Sequence, residues 1–80
     1  MYNIYVDDAL GHHLEVDSFE SLEEAKKAFE EYKNQGPEGY ELSIELEEII
    51  GDYEDFISIE YHEWLTEEEW MEKHPSGYPE

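Results

Sequence analysis

Glu60, His62 and Glu63 set two carboxyls and an imidazole within four positions of one another, the smallest set of groups that can run general acid–base chemistry. In a chain of 80 residues with 24 Asp and Glu, such juxtapositions arise freely. No nucleophile motif, glycine-rich phosphate loop or cysteine accompanies this one, so the expectation is a non-enzyme with no catalytic residue. His12 and His13, with Asp7 and Asp8 nearby, form a second cluster of metal-ligating types. Zinc sites need three or four converging ligands at characteristic spacings, and the expectation here is a solvated turn with no metal and no cofactor. The acid-rich stretch Gly51-Asp-Tyr-Glu-Asp55 lacks the twelve-residue calcium-loop pattern, which leaves adventitious binding of divalent ions.

The chemistry that remains is that of charge itself. The formal net charge is −20, with four Lys and no Arg. Such a field opposes compaction by self-repulsion, repels nucleic acid and anionic membranes, and attracts a basic surface. Direct binding to nucleic acid or membrane is therefore excluded as an expectation. The charge is also unevenly placed: residues 21–34 sum to −1 and residues 35–65 to −10.

Length and composition describe the scaffold. A chain this short forms one domain, expected over 1–80 with 75–80 as a loose tail, and it has no room for a large buried active site. Its apolar fraction of 39% suffices for a small core, which argues against a disordered acidic tail. The absence of cysteine fits a reducing compartment. The opening MYNIYVDD has neither a basic nor a long apolar segment, and the expected location is the cytoplasm, of a host cell if the chain is phage-encoded.

The elements follow from periodicity. YNIYV, residues 2–6, alternates as a strand, and HLEVD, residues 13–17, alternates again, with Leu14 and Val16 inward and His13, Glu15 and Asp17 outward. Ser21-Leu-Glu-Glu24 predicts the start of a helix over 21–34, its stripe formed by Leu22, Ala25, Phe29 and Tyr32 with Ala28 beside them, ending at Gly36-Pro37. Strand three puts Tyr40, Leu42, Ile44 and Leu46 on one side and Glu41, Ser43, Glu45 and Glu47 on the other. After a turn at Gly51-Asp52, strand four runs from about 54 to 62, with Ile57, Ile59 and Tyr61 inward and Phe56, Ser58, Glu60 and His62 outward. Thr66-Glu-Glu-Glu69 is a second capping box, opening a short helix over about 67–73, with Leu65 placed to staple onto Trp70. Together these predict an α+β two-layer fold: an antiparallel sheet of about four strands, one helix on one face and a short C-terminal helix.

The uncovered sheet face is where the charge would gather. Residues two apart on a strand stand about 6.8 Å apart on one side, similar in scale to the spacing of successive phosphates, which the helical path of a nucleic acid strand sets farther apart than its axial rise of about 3.4 Å per nucleotide. Glu15, Asp17, Glu41, Glu45, Glu47 and Glu60 are expected there as carboxylate rows, with Tyr5 and Phe56 as aromatic anchors. Trp64 joins them if it is exposed, beside Glu67 and Glu68.

In size, acidity and stretches such as ELSIELEEIIGDYED, the chain resembles the small acidic phage-encoded inhibitors that act as nucleic-acid mimics, among them anti-restriction and anti-CRISPR proteins. The resemblance is one of type and matches no family motif. It implies stoichiometric occlusion of the basic nucleic-acid-binding surface of a host defence nuclease or complex, without catalysis. The alternative partner is a single basic toxin nuclease, neutralised by this chain as an immunity protein or antitoxin. Two further alternatives are a salt-adapted domain with no charged partner and a homodimer that buries the open sheet face.

Overall fold

Strand β1, Tyr2–Asp8, is an inner strand, pairing antiparallel with β2, His13–Phe19, on one side and with β3, Glu41–Ile50, on the other. Strand β4, Asp55–Glu63, pairs antiparallel with β3 and gives the sheet order β2-β1-β3-β4. Helix α1, Leu22–Gln35, crosses between β2 and β3, and helix α2, Glu67–Lys73, follows β4. This is an α+β fold with a four-stranded antiparallel sheet, one long helix and one short C-terminal helix. The computed structural model describes residues 1–51 and 55–78. Asp52, part of the expected turn and of the acid-rich stretch, lies outside the described residues, as do Tyr53 and Glu54.

The core forms where the stripe of α1 meets one face of the sheet. Ala25 and Phe29 pack with Ile4, Val6, Ile44 and Leu46, and Tyr2, Phe19, Leu22, Ala28, Tyr32, Ile59 and Trp64 close its edges. Burying a side chain such as Phe29 contributes about 1.5–3 kcal/mol. The Ser21 hydroxyl accepts the Glu24 amide at the start of α1, and Gly36, at φ 80°, donates its N–H to the Lys33 carbonyl at the end. That positive φ suits glycine, which has no Cβ to collide with the backbone. At α2 the capping box is complete: the Thr66 hydroxyl accepts the Glu69 amide, and the Glu69 carboxylate accepts the Thr66 amide. Trp70 is buried, donates Nε1–H to the Gly39 carbonyl and stacks on Tyr40, which ties α2 to the start of β3.

Three bulges decide which side chains share a face. Ile4 is opposite Asp17 and Tyr5 opposite Glu15, so Val16 is an extra residue in β2. Asp7 faces Ser43 and Asp8 faces Glu41, which makes Leu42 extra in β3. Leu46 faces Glu60 and Glu47 faces Ser58, which makes Ile59 extra in β4. Each insertion inverts the alternation beyond it. Asp17, Glu41 and Glu60 therefore lie on the helix side, contrary to the strict two-residue alternation that placed them on the open face. Asp17 accepts the Tyr32 hydroxyl there, and Glu41 lines a cavity of about 130 Å³ with Val6, Tyr32 and Trp64. Glu60 is opposite Leu46, a fully buried core residue. The same inversion puts Tyr61 on the open face, opposite Glu45, and His62 on the helix side, opposite Ile44. Trp64 is half-buried against the core and donates Nε1–H to the Lys33 carbonyl, so its ring packs as part of the scaffold.

Candidate functional site

The open face of the sheet is built from cross-strand rows. His13, Asp7, Ser43 and Glu63 form one row, Glu15, Tyr5, Glu45 and Tyr61 the next, and Ser18, Asn3, Glu47 and Ser58 the third. Phe56, opposite Ile49, extends it and is highly exposed. Of the acidic residues expected on this face, Glu15, Glu45 and Glu47 are present, together with Tyr5 and Phe56. Asp7 and Glu63 join them. Glu67 and Glu68 lie apart, exposed in the first turn of α2. No lysine sits on the sheet: Lys26, Lys27 and Lys33 are on α1 and Lys73 is on α2.

Asn3 organises the middle of the face although strands disfavour asparagine. It is 1% exposed, donates from Nδ2 to the Tyr5 hydroxyl at 3.1 Å and to Glu15 at 2.9 Å, and accepts the Ser18 hydroxyl at 2.8 Å. A buried amide satisfied on both ends in this way locks its neighbours. Tyr5 stacks on the His13 ring with centroids 4.5 Å apart.

Beside this network lies a compact ionisable cluster. His13 Nδ1 is 2.6 Å from Asp7 Oδ1, and its Nε2 is 3.5 Å from Glu47 Oε2. Ser58 donates its hydroxyl to Glu45 at 2.7 Å. Glu47 is buried to 4% exposure on the face that carries no helix. Burial, the hydrogen bond with Glu45 and the charge of Glu45 push its pKa up to about 7. Burial acts in the same sense on Glu45, but hydrogen bonds from Glu47 and Ser58 and the charge of His13 hold that carboxyl below its usual value. The two carboxyls thus titrate as a pair that shares a proton. For His13, burial favours the neutral ring, but the hydrogen bond and charge of Asp7, with the Glu47 and Glu45 carboxylates, outweigh it and raise the pKa. The face is consequently less negative near neutral pH than its residue types suggest.

At the neighbouring turn His12 pairs with Asp8 at 3.0 Å, and Asp8 also accepts the Leu10 and His12 amides. Burial of Asp8 is outweighed by those hydrogen bonds and its pKa is lowered. The two histidines expected to share a solvated turn thus take different aspartates. His13 alone reaches the sheet, where one ligand atom each from His13, Glu45 and Glu47 lie within 4.8 Å of one another. Sequence reasoning did not find this trio, nor Asn3; an asparagine between strand formers and a histidine opening a strand are the signals that pointed to them. Glu60, His62 and Glu63 do not converge, because Glu63 lies on the open face and the other two lie on the helix side.

No helix among the described residues is long and apolar enough to cross a membrane. Searches against protein-family models, curated proteins and solved structures found no match to this chain.

Proposed function

We propose that this protein is an acidic nucleic-acid-mimicking inhibitor that docks the open sheet face onto the basic nucleic-acid-binding surface of a nuclease or defence complex. The observation that carries the reading is the separation of charge: Asp7, Glu15, Glu45, Glu47 and Glu63 share a face with no lysine, while every lysine of the chain is on a helix. Such a face steers a cationic groove toward it over long range. Tyr61 and Phe56, 56% and 61% exposed, give it aromatic surface to desolvate on contact. The network around Asn3 holds Glu15 and Tyr5 in place before the partner arrives, which reduces the ordering cost of association. The carboxylates that count are then Asp7, Glu15, Glu63 and the Glu45–Glu47 pair, with Asp17, Glu41 and Glu60 outside the contact.

The test is competition with duplex DNA for purified bacterial restriction nucleases and guide-loaded CRISPR effectors, followed by fluorescence anisotropy. Displacement is expected for at least one such complex. Glu15→Lys and Glu63→Lys weaken it at least tenfold, whereas Asp17→Lys and Glu60→Lys leave it within about twofold. Equal losses from both pairs of variants, or no displacement from any complex, would overturn the reading.

A further inference from the structure

The geometry points to a binding site for a first-row divalent metal ion of the zinc class in the centre of the open face, with His13 Nε2, Glu45 and Glu47 as its ligands. One nitrogen and two carboxylate oxygens within 4.8 Å of one another match the three-protein-ligand sets that leave a fourth tetrahedral position for water or substrate, at ligand distances of roughly 2.0–2.2 Å. The imidazole in the set selects transition metals over magnesium and calcium, which prefer all-oxygen shells.

Two features beyond the presence of acidic groups support this. First, the His13 ring is already held for ligation. Its Nδ1 faces Asp7 at 2.6 Å, its plane is stacked on Tyr5, and its Nε2 is turned toward Glu47. A carboxylate on the far ring nitrogen is the outer-shell arrangement that fixes the tautomer and orientation of metal-bound histidine. Second, Glu47 is more than nine-tenths buried, and no backbone amide, hydroxyl or amide side chain among the described residues donates to its carboxylate. What faces it is the Glu45 carboxyl and the His13 ring. Every contact of that carboxyl thus comes from within the trio, and an ion between Glu45, Glu47 and the Nε2 lone pair would take the place of the proton that the two carboxyls share. The site rests on these residues alone and stands whether or not the face docks a partner.

The experiment is calorimetric titration of Zn²⁺ into chelator-treated protein, with the histidine ring nitrogens followed by NMR. One ion per chain is expected, with the Nε2 resonance of His13 moving to the metal-bound range while Nδ1 keeps its proton. His13→Gln and Glu47→Gln, each still folded by circular dichroism, weaken binding at least tenfold, and Glu45→Gln serves if Glu47→Gln fails to fold. Asp7→Asn weakens it roughly 10- to 100-fold, as expected for an outer-shell partner, and Glu67→Gln on α2 leaves it unchanged. Millimolar Mg²⁺ does not displace the ion. Absence of a saturable one-to-one event, an Nε2 resonance unmoved by zinc, displacement by Mg²⁺, or binding that folded His13→Gln and Glu47→Gln variants retain in full would each overturn the site.

Discussion

His13 Nε2 stands 3.5 Å from Oε2 of Glu47, joining an imidazole with a raised pKa to a carboxyl whose pKa is about 7. Both groups bind protons more tightly folded than unfolded, so both make stability fall as pH rises. The contribution of Glu47 is complete below its ordinary value of 4.5 and is lost as pH rises through about 7. That of His13 is complete below 6.5 and is lost above its raised folded value. Glu45 and Asp8 act in the opposite sense, because their lowered pKa values withdraw stability as pH falls through the acid range. Urea unfolding of metal-free protein should therefore show stability increasing from about pH 8 to about pH 5, then declining below about pH 4. A monotonic rise from pH 5 to 8 is the opposite of what this cluster dictates.

Glu47→Gln separates the two members of that cluster. The amide keeps the shape of the side chain, removes its titration, and ends the repulsion with Glu45 above neutral pH. Stability at pH 8 should match or exceed that of the parent chain, and the slope between pH 5 and 8 should diminish to the part supplied by His13. A loss at pH 8 as large as at pH 5 would show that the carboxylate is held by attraction instead.

The two-layer architecture was legible because local signals agreed with one another. The Ser21 and Thr66 caps, the apolar stripe of α1 and the alternation of the four strands all pointed to the arrangement found. The composition of the open face was half legible. Alternation with period two is sound only between bulges, and none of the extra residues Val16, Leu42 and Ile59 is a glycine or otherwise marks itself. Asp17, Glu41 and Glu60 were misplaced for that one reason. The burial of Glu47 was hidden for another: His13 comes to within 3.5 Å of it from β2, across the intervening β1, a relation that no local pattern encodes.

Asn3 should prove the costliest polar position on the face to truncate. Asn3→Ala removes two donated bonds and one accepted bond and leaves a void beneath Tyr5. Glu15 and Ser18 are exposed and can turn to water, which limits the loss to about 1–3 kcal/mol. Urea unfolding with an unchanged m value would register it as a fall in midpoint. Ser18→Ala, which deletes a single bond, should lose less than half as much.

Added salt should stabilise this protein. Among the described residues its attractive pairs are few and partly exposed: Lys33 lies 3.6 Å from Glu30, and the other close pairs there are between histidines and carboxylates. Against them stands a formal charge of −20, whose repulsion acts over the whole surface. Raising ionic strength from about 0.02 to about 0.5 M shortens the screening length from roughly 20 Å to about 4 Å. That removes most repulsion between separate elements and leaves the direct 2.6 Å contact of His13 with Asp7 largely intact. The melting temperature should rise across this range and level off toward its upper end, and it should rise less in a Glu15→Gln, Glu63→Gln double variant, which starts with two fewer charges on the open face. A steady fall would mean that the short-range pairs outweigh the field, and the separation of lysines from the sheet would then lose its energetic significance.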